Sequence, residues 1–95
     1  RALDAPAQIE INEYSVERRT LSVNSVGQIA EYEFNALLDV TVTRGEETDH
    51  FVTEARRTLS NDVNNVVATQ QEERQLRDAL DSDLLSRLMR RLERL

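Results

Sequence analysis

The only histidine, His50, follows Glu46, Glu47 and Asp49, so one imidazole and three carboxylates fall within five residues. Oxygen and ring-nitrogen donors grouped this way could hold a divalent cation. The run lacks calcium-loop spacing, however, and falls short of the ligand count of structural and catalytic metal sites. It reads as a solvated hairpin turn, and neither metal nor cofactor is expected. Glu31 and Glu33 alternate along one strand face; on a wet face nothing perturbs their acidity, so they read as ordinary carboxylates rather than an acid–base pair. One His without a nucleophile elbow gives no hydrolytic triad. Two glycines in 95 residues cannot build a phosphate-cradling loop. The absence of Cys removes thiolate ligands, disulfides and cysteine nucleophiles. The side chain with most to explain is Arg57. By alternation it shares the dry face of a strand with Phe51, Ala55 and Leu59, whereas Arg56 points outward. A guanidinium there pairs with a carboxylate, snorkels to the sheet margin, or binds an anion. Pairing with the helix or a neighbouring strand is the simpler expectation, and bidentate contact with phosphate is the functional one. Arg18 and Arg19 either join the same patch or form an exposed pair near a bend.

The elements that would position these residues are clear in outline. From Tyr32 to Val42 every even position is apolar or aromatic, and most odd ones are polar. Period-two alternation describes a strand with one wet and one dry face, here from Ile29 to Thr43. Ahead of it, Gln8 to Val23 is β-like with two changes of phase: Ile9 and Ile11, then Tyr14 and Val16, then Leu21 and Val23. Phase changes predict bulges or bends. Asn24 to Gln28 and Arg44 to Asp49 each hold one Gly and read as hairpin loops, with a third strand from His50 to Ser60. After the turn chemistry of Asn61 to Asn65, Val66 and Val67 are expected to tuck under the sheet edge. Thr69 and Glu72 have capping-box spacing, which starts a helix near Gln70 and runs it to the end. On that helix Leu84, Leu85, Leu88, Met89, Leu92 and Leu95 occupy an arc of about 140°, and Arg87, Arg90, Arg91 and Arg94 a separate arc of about 100°. The arginine arc reads as a solvated face that complements the helix dipole; docking onto anionic lipid or an acidic partner is the alternative. Leucines at steps of four drift around the axis, which argues for a packed helix over a coiled coil. A one-sided sheet needs such a cover. The expected fold is therefore α+β, a two-layer sandwich in which an antiparallel meander of three strands is packed by a long C-terminal helix.

Composition agrees. Hydrophobics at 39% and charged residues at 32% fit one soluble domain spanning 1–95. No apolar run approaches the ~20 residues of a membrane-spanning helix. The net charge is −6, and all 12 basic residues are Arg. Without a basic stripe, nucleic acid is excluded as a partner. A signal peptide or targeting motif is not visible, and the lead-in from Arg1 to Ala7 ends at the single Pro6.

The order of these elements carries a resemblance. Gly27-x-x-Ala30-Glu31-Tyr32-Glu33-Phe34 opens the alternating strand, and Arg57-Thr58-Leu59 closes the third. Asn65-Val66-Val67-Ala68 precedes Glu72-Glu73, and the helix ends Leu84-Leu85-x-x-Leu88-x-Arg90-Arg91-Leu92. Over residues 8–95 this resembles the lipopolysaccharide-assembly lipoprotein family LptE. Membership implies a lipoprotein on the periplasmic side of the Gram-negative outer membrane, anchored through an acylated N-terminal Cys. It implies a β-barrel partner, LptD, whose lumen such proteins plug, and contact with lipopolysaccharide. The resemblance also implies that a signal peptide, lipobox Cys, first strand and first helix belong upstream, so this chain is expected to be the C-terminal part of a larger lipoprotein domain. Lysines that help meet the lipid in the family have no counterpart here, with Thr69 standing near one expected position. Lipid phosphate contacts then fall to Arg57 first, with Arg56, Arg18 and Arg19 behind it.

The expected role is a non-enzymatic plug and chaperone for a barrel translocon. The alternative is a general α+β protein-interaction or oligomerisation module without a lipid ligand. With one covering helix absent, part of the dry face should be open, favouring self-association of the fragment.

Overall fold

The computed structural model describes residues 7–94; the lead-in at Pro6 and the place given to Leu95 lie outside them. Strands β1 (Ala7–Val23), β2 (Ile29–Arg44) and β3 (Glu47–Ser60) form one antiparallel sheet in the order β1-β2-β3, followed by helix α1 (Val66–Glu93). Strand and helix lengths match: 14 residues of β3 at ~3.3 Å and 28 of α1 at ~1.5 Å each span somewhat over 40 Å. Helix and strand lie alongside one another, giving a rod of 58 × 19 × 18 Å with a radius of gyration of 17.7 Å. A compact chain of this length would have a radius near 12 Å.

The even positions of β2 supply the centre of the core: Phe34, Ala36, Leu38, Val40 and Val42 are all buried. Register places Phe51 beside Val40, Ala55 beside Ala36 and Leu59 beside Tyr32. From above, Leu76, Leu80, Leu84 and Leu88 close the layer. Leu85 and Met89, on the same predicted arc, are instead 57% and 58% exposed. The buried stripe is thus narrower than the apolar arc, because α1 lies over β3 and β2 and leaves the β1 side open.

Both phase changes of β1 are register slips. The pairing skips Asn12 between Ile11 and Glu13, and Leu21 between Thr20 and Ser22. The extra residue at Asn12 returns Tyr14 and Val16 to the helix side, opposite Leu38 and Ala36. Beyond Leu21, Ser22 pairs with Glu31 on the wet face, and the register slips again before Val23, which stays exposed. Asn12 uses its bulged position to donate from Nδ2 to Asp39 Oδ1 (3.2 Å) and Thr41 Oγ1 (2.8 Å). In the β1–β2 loop the Asn24 carboxamide accepts from the Val26 and Gln28 amides, and Gly27 takes a φ of +81°. The β2–β3 connection is shorter than Arg44 to Asp49. Arg44 pairs with Glu47, leaving Gly45 and Glu46 as the loop. Positive φ at Gly45 alone (+60°) is the pattern of a type II′ turn, whose twist suits a hairpin. His50 is therefore a strand residue, opposite Thr41, and not part of the turn.

The helix start differs from expectation. Its N-cap is Asn65, whose side chain accepts from the Ala68 amide (3.1 Å). Asn caps at least as well as Thr, and here it adds a turn upstream of Gln70. Val66 and Val67 then fall in that first turn facing solvent, 60% and 65% exposed, and do not tuck under the sheet. Thr69 is the residue that turns inward. Its hydroxyl donates to the Asn65 carbonyl and accepts from the Asp62 amide, both at 3.2 Å. Asn61 ties the turn to the sheet by bonding the carbonyls of Ala30 and Ile29.

Candidate functional site

On the helix side, charged side chains seal the rim of the core. One row across the sheet runs Arg18, Phe34, Arg57. Arg57 donates to Asp83 Oδ2 of α1 from Nη2 (3.0 Å) and Nε (3.3 Å). The guanidinium on the dry face is thus paired, the simpler of its two expected fates. Arg18 stacks over the Tyr32 ring at 4.6 Å and reaches Glu73 at 3.7 Å. Glu73 also takes Arg77 Nε at 3.1 Å, while the Arg77 guanidinium lies over Phe34. Flat cations on aromatic faces exclude water from the rim while keeping their donors wet. These pairs are half exposed, so each contributes only ~0–1 kcal/mol and is open to exchange with another anion.

The opposite face of the sheet carries no cover and is polar. Its centre is Glu33, which strand alternation alone describes as solvated and ordinary. It is in fact 6% exposed. Arg19 Nε donates to its Oε1 (2.8 Å), Asn35 Nδ2 to the same oxygen (3.1 Å), and Arg56 Nε lies 4.0 Å from Oε2. The Asn35 hydrogen bond, followed by the charges of Arg19 and Arg56, holds the Glu33 carboxyl below its ordinary value against the opposing effect of burial. Long neighbouring side chains bury a residue that alternation places outward. A second cluster joins Asn12, Asp39 and His50, with His50 Nε2 on Asp39 Oδ1. The Asn12 bond first, then the His50 contact, lowers the Asp39 pKa. Among the described residues, no three His, Cys, Asp or Glu side chains come together as metal ligands.

The four candidate arginines therefore divide between the two faces. Arg18 and Arg57 share the helix-side row, and Arg19 and Arg56 converge on Glu33 behind it. Every one of them has a carboxylate within 4.0 Å.

A third feature lies on the dry face, part of which the sequence leads one to expect open, although its lining residues are not named by it. Beyond the edge of α1, Ile9, Ile11, Tyr14, Leu84, Leu85 and Leu88 line an apolar groove of about 370 Å³. The Tyr14 hydroxyl closes one end by bonding Asp81. That bond, together with burial and the Asp81 charge, raises the Tyr14 pKa. The sequence signal lay in Leu85 and Met89, which fall outside the every-fourth leucine ladder. No helix among the described residues is long and apolar enough to cross a membrane.

Comparisons with known proteins bear on the family and the fold. Residues 1–92 match the family described as LptE: Lipopolysaccharide-assembly. The fold is similar to the crystal structure of the rare lipoprotein B from Shewanella oneidensis, with a TM-score of 0.69 and 28% sequence identity over 92% of this chain and 70% of that one. No curated protein matches the chain.

Proposed function

This chain belongs to the LptE lipopolysaccharide-assembly family, and on that premise we propose that it works without catalysis, as a plug and chaperone inside an LptD-like outer-membrane barrel. The observation that carries the proposal is the uncovered face of the sheet. Its charges are already paired internally at Glu33 and Asp39, on a rod 19 by 18 Å in section. A stiff polar wedge suits the water-lined, polar lumen of a wide barrel, because neither surface must be stripped of an unpaired charge on contact. The setting would be the periplasmic side of the outer membrane, with a lipid anchor supplied from an N-terminal Cys.

Lipopolysaccharide contact belongs to the same proposal, with Arg57 first and Arg56, Arg18 and Arg19 behind it. Since each has an internal carboxylate, lipid phosphates would have to displace one, and weak, salt-sensitive binding is expected. The test is co-purification of the lipidated full-length protein with its barrel, with photo-crosslinkers on the open face at Asn35 and Thr58. Crosslinks to barrel and a loss of lipopolysaccharide binding in R57Q are expected. Absence of both in the complete protein would overturn the proposal. The apolar groove favours a second reading, a protein-interaction or self-association module; it predicts concentration-dependent size with no affinity for lipopolysaccharide.

A further inference from the structure

Six arginines, Arg18, Arg19, Arg44, Arg56, Arg57 and Arg77, lie within 4.0 Å of a carboxylate. Arg87, Arg90 and Arg91 of α1 have no such partner among the described residues. Arg74 and Arg94 also lack one among the described residues; what distinguishes Arg87, Arg90 and Arg91 is that the three line one concave surface together in a protein of net charge −6. We propose that the concave strip between the free edge of β3 and this flank of α1 binds a dianionic phosphate group.

Two adjoining cavities of about 240 and 280 Å³ make up the strip, and both are lined by Glu54 and Arg87. The first adds Arg90, Arg91 and Thr53; the second adds Arg56. Each is several times the ~30 Å³ share of one water, enough for a tetrahedral oxyanion. The Arg91 guanidinium carbon lies over the Phe51 ring, 4.6 Å from its centroid, a contact that restrains the group before any ligand arrives. Thr53 is 5% exposed, and its hydroxyl has no hydrogen-bond partner among the described residues. Guanidinium forks match phosphate oxygens in pairs. Helix-dipole complementarity explains cations in the last turn, Arg90 and Arg91. It does not require Arg87 a turn earlier, nor Arg56 on the adjoining strand. Glu54 is the one carboxylate in both cavities; it opposes the anion and sets a preference for a ligand charged strongly enough to overcome it.

A phosphate monoester on a lipid and free phosphate present the same chemistry, so the experiment has an arm for each. The site does not depend on barrel plugging or on Arg57. Those are tested by co-purification and R57Q, and either set of results stands without the other. In the first arm, the full chain labelled with ¹⁵N is titrated with inorganic phosphate at fixed ionic strength, with chloride as control. Amides of Val52 to Arg56 and of Arg87 to Arg91 should shift and saturate. The R87Q/R90Q double variant should weaken binding about tenfold or more, and E54Q should strengthen it. In the second arm, vesicles bearing phosphomonoester headgroups are sedimented against vesicles of neutral zwitterionic lipid. Whichever arm binds more tightly through these arginines identifies the source. No saturable shift in either arm, or binding unaltered in R87Q/R90Q with its circular dichroism intact, overturns the proposal.

Discussion

Replacing Asn65 with Ala tests where the helix begins and what holds its end. Asn65 supplies one side-chain bond, to the Ala68 amide at 3.1 Å, at an exposed position, so no cavity or buried charge complicates the change. Loss of such a cap costs about 1 kcal/mol, within a range of ~0.5–2. For a chain of 95 residues that corresponds to a fall in Tm of roughly 4–8 °C. The comparison variant is Glu72→Ala. In a capping box closed by Thr69, Glu72 would carry half of the motif; in the structure it lies in the second turn and is exposed. E72A should therefore stay within about 0.5 kcal/mol of the parent. Urea unfolding followed at 222 nm gives both numbers, and amide exchange at Ala68 reports the local end. A full cost for E72A with none for N65A would refute the assignment and return the helix start to Thr69.

Leu80→Ala removes a fully buried side chain facing the sheet and should cost about 2–5 kcal/mol in urea unfolding; Leu85→Ala, mostly exposed, should cost under about 1 kcal/mol, and equal costs would mean the helix is rotated. The depressed Glu33 and Asp39 carboxyls bind fewer protons folded than unfolded. Their stabilisation is therefore complete above the unfolded carboxylate values near 4 and is lost as pH falls through the lower folded ones. Stability measured from pH 6 downward should drop below about pH 4, and E33Q should flatten that drop. Open Ile11 and Leu85 should drive association at high concentration; I11E should keep the chain monomeric by light scattering, and unchanged association would place the contact elsewhere.

The fold was legible because its main signals are periodic. Alternation in β2 marked the core face residue by residue, and reversed phases in β1 announced bulges at Asn12 and Leu21. The helix start was misplaced because two cap-forming residues, Asn65 and Thr69, stand four apart. Only the tie from Thr69 to Asp62, a contact across the turn, decides between them. The acidity of Glu33 was missed for a related reason. Alternation gives the direction of a side chain but not how far Arg19 and Arg56 reach across neighbouring strands to cover it. The pairing of Arg57 was legible, since a guanidinium among Phe51, Ala55 and Leu59 requires a partner, although Asp83 could not be named without the packing of α1. The groove beside β1 depends on the lateral offset of the helix, which no period encodes.

That offset has a consequence for how the molecule comes apart. No residue of β1 is buried, and beyond its ladder to β2 it is fastened to α1 by little more than Tyr14–Asp81 and Arg18–Glu73. The hairpin of β2 and β3 with its helix is by contrast consecutive in sequence and holds nearly all the interior. The first strand is thus a detachable stave: it should exchange its amide hydrogens sooner than the rest and peel away ahead of global unfolding. What it leaves behind is a hairpin still roofed by its helix, with the flank of β2 free to accept another strand.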